Sequence, residues 1–218
     1  MTRGGFDINL QSLHNDILKM GSIVEKQIHE SILALSNQDE ELAEKVIEND
    51  DKVDDLQKEI EDKCVKLIAM QQPLATDLRN IFTTIKLVTD LERIADHAVD
   101  VAKIAKILKK QKYIKELVDI PKMAVTVEKM IHESLNSYVE ADIDKAYATC
   151  KIDDEVDAVY KKVFTELLER MATNPEDINQ ATQFLFVCKY LERVADHVTN
   201  ICEGTIYLVT GEQVDLND

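Results

Sequence analysis

The chain has 218 residues, 45% of them apolar, with only 5 Gly, 3 Pro and no Trp. It can bury a sizeable core, but it lacks the turn chemistry of a β-rich fold, and its wealth of Leu, Ile, Ala, Lys, Glu and Asp is that of long helices. With 42 acidic against 26 basic residues the formal net charge is −16, which disfavours nucleic acid and anionic headgroups as ligands and favours cations and basic protein surfaces.

In chain order, apolar residues at Leu10, Leu13, Ile17, Met20, Val24, Ile28, Ile32 and Leu35 recur in steps of three and four. They predict a first helix over about Phe6–Leu35. Gly21 in its middle costs roughly 1 kcal/mol against Ala, which points to a neighbouring helix in close approach. After the turn Ser36–Asp39, with Asp39 as N-cap, a second helix runs from about Glu40 to Met70 and stops before Pro73. A third runs from about Leu74 or Thr76 to Lys110, with Lys103, Lys106, Lys109 and Lys110 at the dipole's negative end. The polar segment Gln111–Val118 bridges to a fourth helix that has Pro121 in its first turn and ends near Val139. A fifth is predicted from about Asp144 to Met171, and a sixth from about Glu176 to Val209, after the stop at Asn174-Pro175. Gly211 closes it, and Glu212–Asp218 is expected to fray.

The chain repeats itself. Leu91-Glu92-Arg93-Ile94-Ala95-Asp96-His97 returns as Leu191-Glu192-Arg193-Val194-Ala195-Asp196-His197, offset by 100 residues. Val24–Ser31 returns as Val127–Ser134 and Asp50–Asp54 as Asp153–Asp157, both offset by 103. The connection between the second and third helices is therefore three residues shorter in the second copy, a deletion that a loop absorbs and a helix face does not. The predicted fold is all-α: two tandem repeats of an antiparallel three-helix bundle, six long helices in all, residues 1–111 and 112–218.

Core packing gives no reason to keep a Glu, an Arg, an Asp and a His in fixed order twice. Residues at i and i+4 share a helix face, so Asp50 pairs with Asp54, Glu92 with Asp96, Asp153 with Asp157 and Glu192 with Asp196. Antiparallel packing about the short loop brings the two pairs of each repeat to one height, so that four carboxylates converge. Like charges at this spacing destabilise a helix by roughly 0.2–0.5 kcal/mol per pair unless a cation or proton neutralises them. Oxygen-only ligand sets suit hard cations such as Mg²⁺, Ca²⁺, Mn²⁺ or iron, and suit zinc less well.

One isolated acidic pair in so acidic a chain reads as a solvated face. Duplication turns the reading toward metal, as does an aliphatic track, Ile81, Ile85 and Val88, that steps next onto Glu92 and Asp96. His97 and His197 point about 100° away from the acids, which suits packing rather than ligation. His29 and His132 follow Glu25 and Glu128 by four residues, so each is expected to bond the Glu of its own helix. Arg93 and Arg193 are expected to pair with nearby acids. The Glu-x-x-His signature of di-iron bundles is absent, as are a nucleophile elbow and a phosphate-cradling Gly loop. A three-helix bundle also leaves little room for a substrate cavity. A non-enzyme is expected, with a carboxylate-bridged metal hydrolase or oxidase as the alternative.

Cys64, Cys150, Cys188 and Cys202 show no CxxC spacing and are expected as buried free thiols of a reducing compartment. No apolar run approaches the ~20 residues that span a bilayer, and Met1–Gly5 leads into no signal-like segment. The expectation is a cytoplasmic protein without direct membrane insertion.

The duplicated Leu-Glu-Arg-(Ile/Val)-Ala-Asp-His motif, preceded by Asp90 or Tyr190 and followed in the second copy by Val198-Thr199-Asn200-Ile201, resembles the PhoU family of phosphate-signalling proteins. Asp50/Asp54, Asp153/Asp157 and Met20-Gly21 fit it too, so the resemblance covers nearly the whole chain. It implies multinuclear clusters of iron or another metal on the bundle surface. Asp50, Asp54, Glu92 and Asp96 would hold one, and Asp153, Asp157, Glu192 and Asp196 the other. It also implies a homodimeric regulator that acts with the phosphate ABC transporter ATPase and restrains a sensor histidine kinase when phosphate is plentiful. One departure is Asp100 where the second copy has Asn200, which would give the first cluster more charge.

Overall fold

A computed structural model describes residues 3–71 and 73–217. Among them are eight α-helices: α1 Arg3–Asn37, α2 Glu40–Glu48, α3 Asp50–Gln71, α4 Ala75–Leu108, α5 Asp119–Glu140, α6 Ile143–Cys150, α7 Asp153–Thr173 and α8 Ile178–Thr210, the last preceded by a 3-10 turn at Pro175–Asp177. The architecture is the expected pair of three-helix bundles, but two of the six long helices are interrupted at equivalent places. The second predicted helix breaks at Asn49 into α2 and α3, and the fifth breaks at Lys151-Ile152 into α6 and α7. Each break starts a new helix on an acid, Asp50 or Asp153, where the positive end of the helix dipole favours negative charge.

The turn into each broken arm is also repeated. Gln38 (φ 56°) and Ala141 (φ 52°) are left-handed, a conformation that costs about 1–2 kcal/mol for a residue with a Cβ. The Asp that follows compensates: Asp39 accepts the Leu42 N–H at 3.0 Å and Asp142 accepts the Lys145 N–H at 2.9 Å. Such a cap contributes about 1 kcal/mol.

In the first repeat α1, α3 and α4 pack on one another, and in the second α5, α7 and α8 do the same. The apolar stripe predicted on the first helix is buried from Leu13 through Ile17, Met20, Val24, Ile28 and Ile32 to Leu35, with Leu10 half-buried; of the predicted track on α4, Ile81 and Val88 are buried and Ile85 is half-buried. Each such side chain contributes about 1.5–3 kcal/mol on burial. The core does not stop at the boundary between repeats. One continuous cluster runs from Leu13 to Leu208, because α4 packs on α8 and α1 on α5.

Both cross-repeat contacts are antiparallel. Gly204 faces Thr83, His197 faces Asp90 and Tyr190 faces His97, so α8 descends as α4 rises. On the other side, a Cβ on Gly21 would lie 2.1 Å from Leu135 Cδ1, so α1 and α5 approach at the glycine that the sequence singled out. The connection from α4 to α5 is pinned to both repeats. Gln38 Nε2 donates to the Gln111 carbonyl at 2.6 Å, and the Ile114 N–H donates to Gln180 Oε1 at 2.6 Å.

The C-terminal segment is docked rather than frayed. The Leu216 N–H donates to Glu203 Oε1 at 2.7 Å, Asn217 Nδ2 donates to Asn200 Oδ1 at 3.0 Å, and Val214 and Leu216 pack beside α8. These bonds lie on long-range partners that local propensity does not report.

Gly21→Val should therefore destabilise the protein by about 1–3 kcal/mol through overpacking against Leu135. Shortening the neighbour in Gly21→Val/Leu135→Ala should recover part of that loss. Urea denaturation measures both, and two additive penalties would contradict the contact.

Candidate metal centres

Each candidate centre is built from the first turn of one helix and the middle of the next. Asp50 and Asp54 open α3 and face Asp96 and Glu92 of α4. Asp153 and Asp157 open α7 and face Asp196 and Glu192 of α8. All eight carboxylates are half-buried, while their neighbours Asp51, Asp55, Asp154 and Glu155 are exposed. Four acids in each repeat thus feel one another's charge.

The acids disturb one another. Burial, and then Asp96, Asp54 and Asp51, push Asp50 up to about 6. Burial, and then Asp196, Asp157 and Glu192, push Asp153 up to about 6. Glu92 is raised by burial and then by Asp96, and Asp196 by burial and then by Glu192. Raised carboxylates mark clusters short of positive charge.

What counter-charge exists is partial. Arg93 donates to Asp96 at 2.8 Å and stands 3.3 Å from Glu92, and Lys161 holds Asp157 at 2.8 Å. Lys189 holds Glu192. Asp50, Asp54, Asp153 and Asp196 have no ion pair among the described residues. Each cluster also holds one buried carboxylate oxygen without a hydrogen bond, Glu92 Oε2 in the first and Asp153 Oδ1 in the second; the Arg93 contact to Glu92 lacks hydrogen-bond geometry. Among the described residues no three His, Cys, Asp or Glu side chains are gathered as a ready ligand set. The donor chemistry and the two orphaned oxygens nevertheless fit a hard cation, which would draw the carboxylates in from their present rotamers.

The histidines do other work. His97 stacks on Tyr190 at 5.4 Å and lies 5.9 Å from His197, and burial followed by the nearby His197 lowers it to about 4. His197 Nδ1 bonds Asp90 at 2.9 Å. Position for position, His97–Tyr190 and His197–Asp90 are the same contact made once from each repeat. The Glu–His pairs on α1 and α5 are likewise exchanged. His29 bonds Glu128 at 3.3 Å and His132 stands 3.7 Å from Glu25, so each faces the other repeat's Glu and not its own. Spacing on one helix could not reveal this, because the partner is set by α1–α5 packing. Asp100 and Asn200 also turn from the clusters. Asp100 pairs with Lys103 at 3.4 Å, and Asn200 donates to Asp90 at 3.2 Å.

A groove of about 450 Å³ lies between α4 and α8, with Thr83, Lys86, Asp90, Asn200, Glu203 and Tyr207 in its wall. The sequence analysis expected no such cavity. It arises between repeats, where single-bundle reasoning does not look.

The PhoU domain model matches residues 17–105 and again residues 120–205, one match to each bundle. The chain belongs to the PhoU family. A PhoU homolog of Clostridium acetobutylicum, named a phosphate-specific transport system accessory protein, is 57% identical over 219 residues and covers the whole of both chains. One of the same name from Caulobacter vibrioides is 38% identical, over 94% of this chain and 90% of its own. The crystal structure of PhoU from Pseudomonas aeruginosa superposes with a TM-score of 0.91 at 36% identity, covering 95% of this chain and all of that one. That of the phosphate transport system regulatory protein PhoU from Streptococcus pneumoniae gives 0.90 at 32%, covering 96% and 99%. The similarity thus extends over the full PhoU architecture.

Asp50 and Asp153 set a pH dependence. Their pKa values rise from 3.8 to about 6, so the folded state holds these protons more tightly than the unfolded chain does. The stability so gained is fully present below pH 3.8 and is lost as pH rises through about 6. In chelator-treated protein, Asp50→Asn/Asp153→Asn should raise Tm at pH 7.5 and shrink the change in Tm between pH 4.5 and 7 relative to wild type. A lower Tm at pH 7.5 would show that these acids are not in mutual repulsion.

Proposed function

We propose that this chain is a metal-binding cytoplasmic regulator of phosphate uptake and phosphate-starvation signalling. The relatives that match it end to end are named accessory proteins of the phosphate-specific transport system. Among the described residues no helix is long and apolar enough to cross a membrane, so a transport role requires a partner that does. In this reading the chain works as a homodimer that bridges the phosphate ABC transporter ATPase and a sensor histidine kinase, holding the kinase back while phosphate is plentiful. Its units are residues 1–111 and 112–218, each carrying one acidic centre.

The observation that supports the metal half of the reading is the pair of matched clusters, in each of which two of the four half-buried acids have no ion pair among the described residues and one buried oxygen has no hydrogen bond. Asp50, Asp54, Glu92 and Asp96 would hold the first group of ions, and Asp153, Asp157, Glu192 and Asp196 the second. Iron is the metal that the family resemblance favours, with Mg²⁺, Mn²⁺ and Ca²⁺ also suited to oxygen donors. Bound metal would neutralise the carboxylates and fasten α3 to α4 and α7 to α8. The alternative, a carboxylate-bridged hydrolase or oxidase, needs a substrate cavity beside the acids, and none of the eight lines the α4–α8 groove.

Glu92→Ala/Asp96→Ala should remove about half of the metal bound by protein purified without chelator, since distant sites act independently. Elemental analysis measures this, with circular dichroism to show that the helices persist; unchanged metal content would refute the ligand assignment. Deleting the chain from its host should switch on phosphate-starvation genes in phosphate-rich medium. Continued repression would assign the regulatory role elsewhere.

A further inference from the structure

The second repeat carries a feature that the first does not. Cys150 ends α6, is half-buried, and packs on a small satellite cluster of Ala146, Cys202 and Ile206. Cys202 on α8 is fully buried in that cluster. Both thiols are free, and Cys150 packs against the same small cluster that holds Cys202. The positions equivalent to them in the first repeat, by the offsets of 103 and 100, are Ile47 and Ala102. The fold therefore needs no sulfur at either place. The other two cysteines, Cys64 and Cys188, are solitary in the core, and burial pushes each up to about 12, which leaves them inert.

We propose that Cys150 and Cys202 form a reversible dithiol–disulfide couple, with low-molecular-weight disulfides as the oxidant. The two members differ in the way such a couple requires. Cys150 reaches solvent and Cys202 does not, so Cys150 is the attacking sulfur, and the neighbouring Cys202 lowers its ionisation in support of that role. The Cys150 thiolate attacks one sulfur of the small disulfide, forming a mixed disulfide and expelling a thiolate that takes up a proton. Cys202 then gives up its proton and attacks the Cys150 sulfur, closing the protein disulfide and expelling the second small thiol. Two protein thiols are oxidised and one small disulfide is reduced to two thiols. Only Cys150 has to meet the reagent; Cys202, raised well above the ordinary thiol range by Cys150 and by burial, passes its proton to the departing small thiolate as it attacks. The bond ties the end of α6 to α8 next to the break at Lys151-Ile152, and so fastens the helix start that presents Asp153.

The test uses the full chain, reduced and freed of reductant, then incubated with oxidised glutathione. Acid quenching, maleimide labelling in denaturant and peptide mapping identify the surviving thiols. The expected result is a Cys150–Cys202 linkage within one chain, with Cys64 and Cys188 still labelled, full reversal by dithiothreitol, and a rise in Tm of roughly 5–10 °C on oxidation. Cys202→Ala, the residue that the first repeat uses, should stop at the glutathione adduct on Cys150. Cys150→Ser should leave Cys202 unmodified. A wild-type protein that accumulates the Cys150 adduct with Cys202 free, links between chains, or leaves both thiols labelled would overturn the proposal.

Discussion

The contact on which this structure turns is the antiparallel packing of α4 against α8. Each helix spends one face on its own bundle and another on the opposite repeat. That is why Leu91, Ile94, Ala95 and Ala98, and their counterparts Leu191, Val194, Ala195 and Val198, are all buried. A helix apolar over so much of its circumference cannot stand at a bundle surface. Neither repeat could bury its fourth or eighth helix alone, and the two become one body because their unmet faces are copies of each other. Reciprocity follows: His97 meets Tyr190 as His197 meets Asp90, and His29 meets Glu128 as His132 meets Glu25.

With α4 and α8 committed to the core on two sides, a strip toward α3 or α7 is left for the acids. The Glu and Asp of the repeated motif occupy that strip. Their opposite numbers stand at the start of a helix made by interrupting a longer one. The interruption forgoes backbone hydrogen bonds, but it sets an acid at the positive end of a dipole and lets α2 and α6 follow separate courses along α4 and α8. The result is a surface that stores negative charge at half burial, a condition that water alone relieves poorly and a bound cation relieves well.

Much of this was legible in the residues. Apolar periodicity located the six long helices and the buried stripe of α1 from Leu13 to Leu35, and the mid-helix Gly21 announced a close neighbour that is Leu135. The matched offsets exposed the duplication, and i, i+4 spacing put the acids on facing surfaces. What stayed hidden depends on partners far along the chain. The left-handed turns at Gln38 and Ala141 lack the glycine that usually marks them. Lys151 is an ordinary helix residue, and Asn49, a residue that favours caps, is a weak signal inside an otherwise helical run. The exchange of histidine partners, the groove and the docked tail arise only when one repeat is laid on the other.

That tail has a practical consequence for anyone handling the protein. Gln213 and Val214 form part of the groove wall, and Asn217 is tethered to Asn200. Polar substitution of Val214 and Leu216 would loosen the rim of the cleft and open Ile206 and Cys202 to the medium.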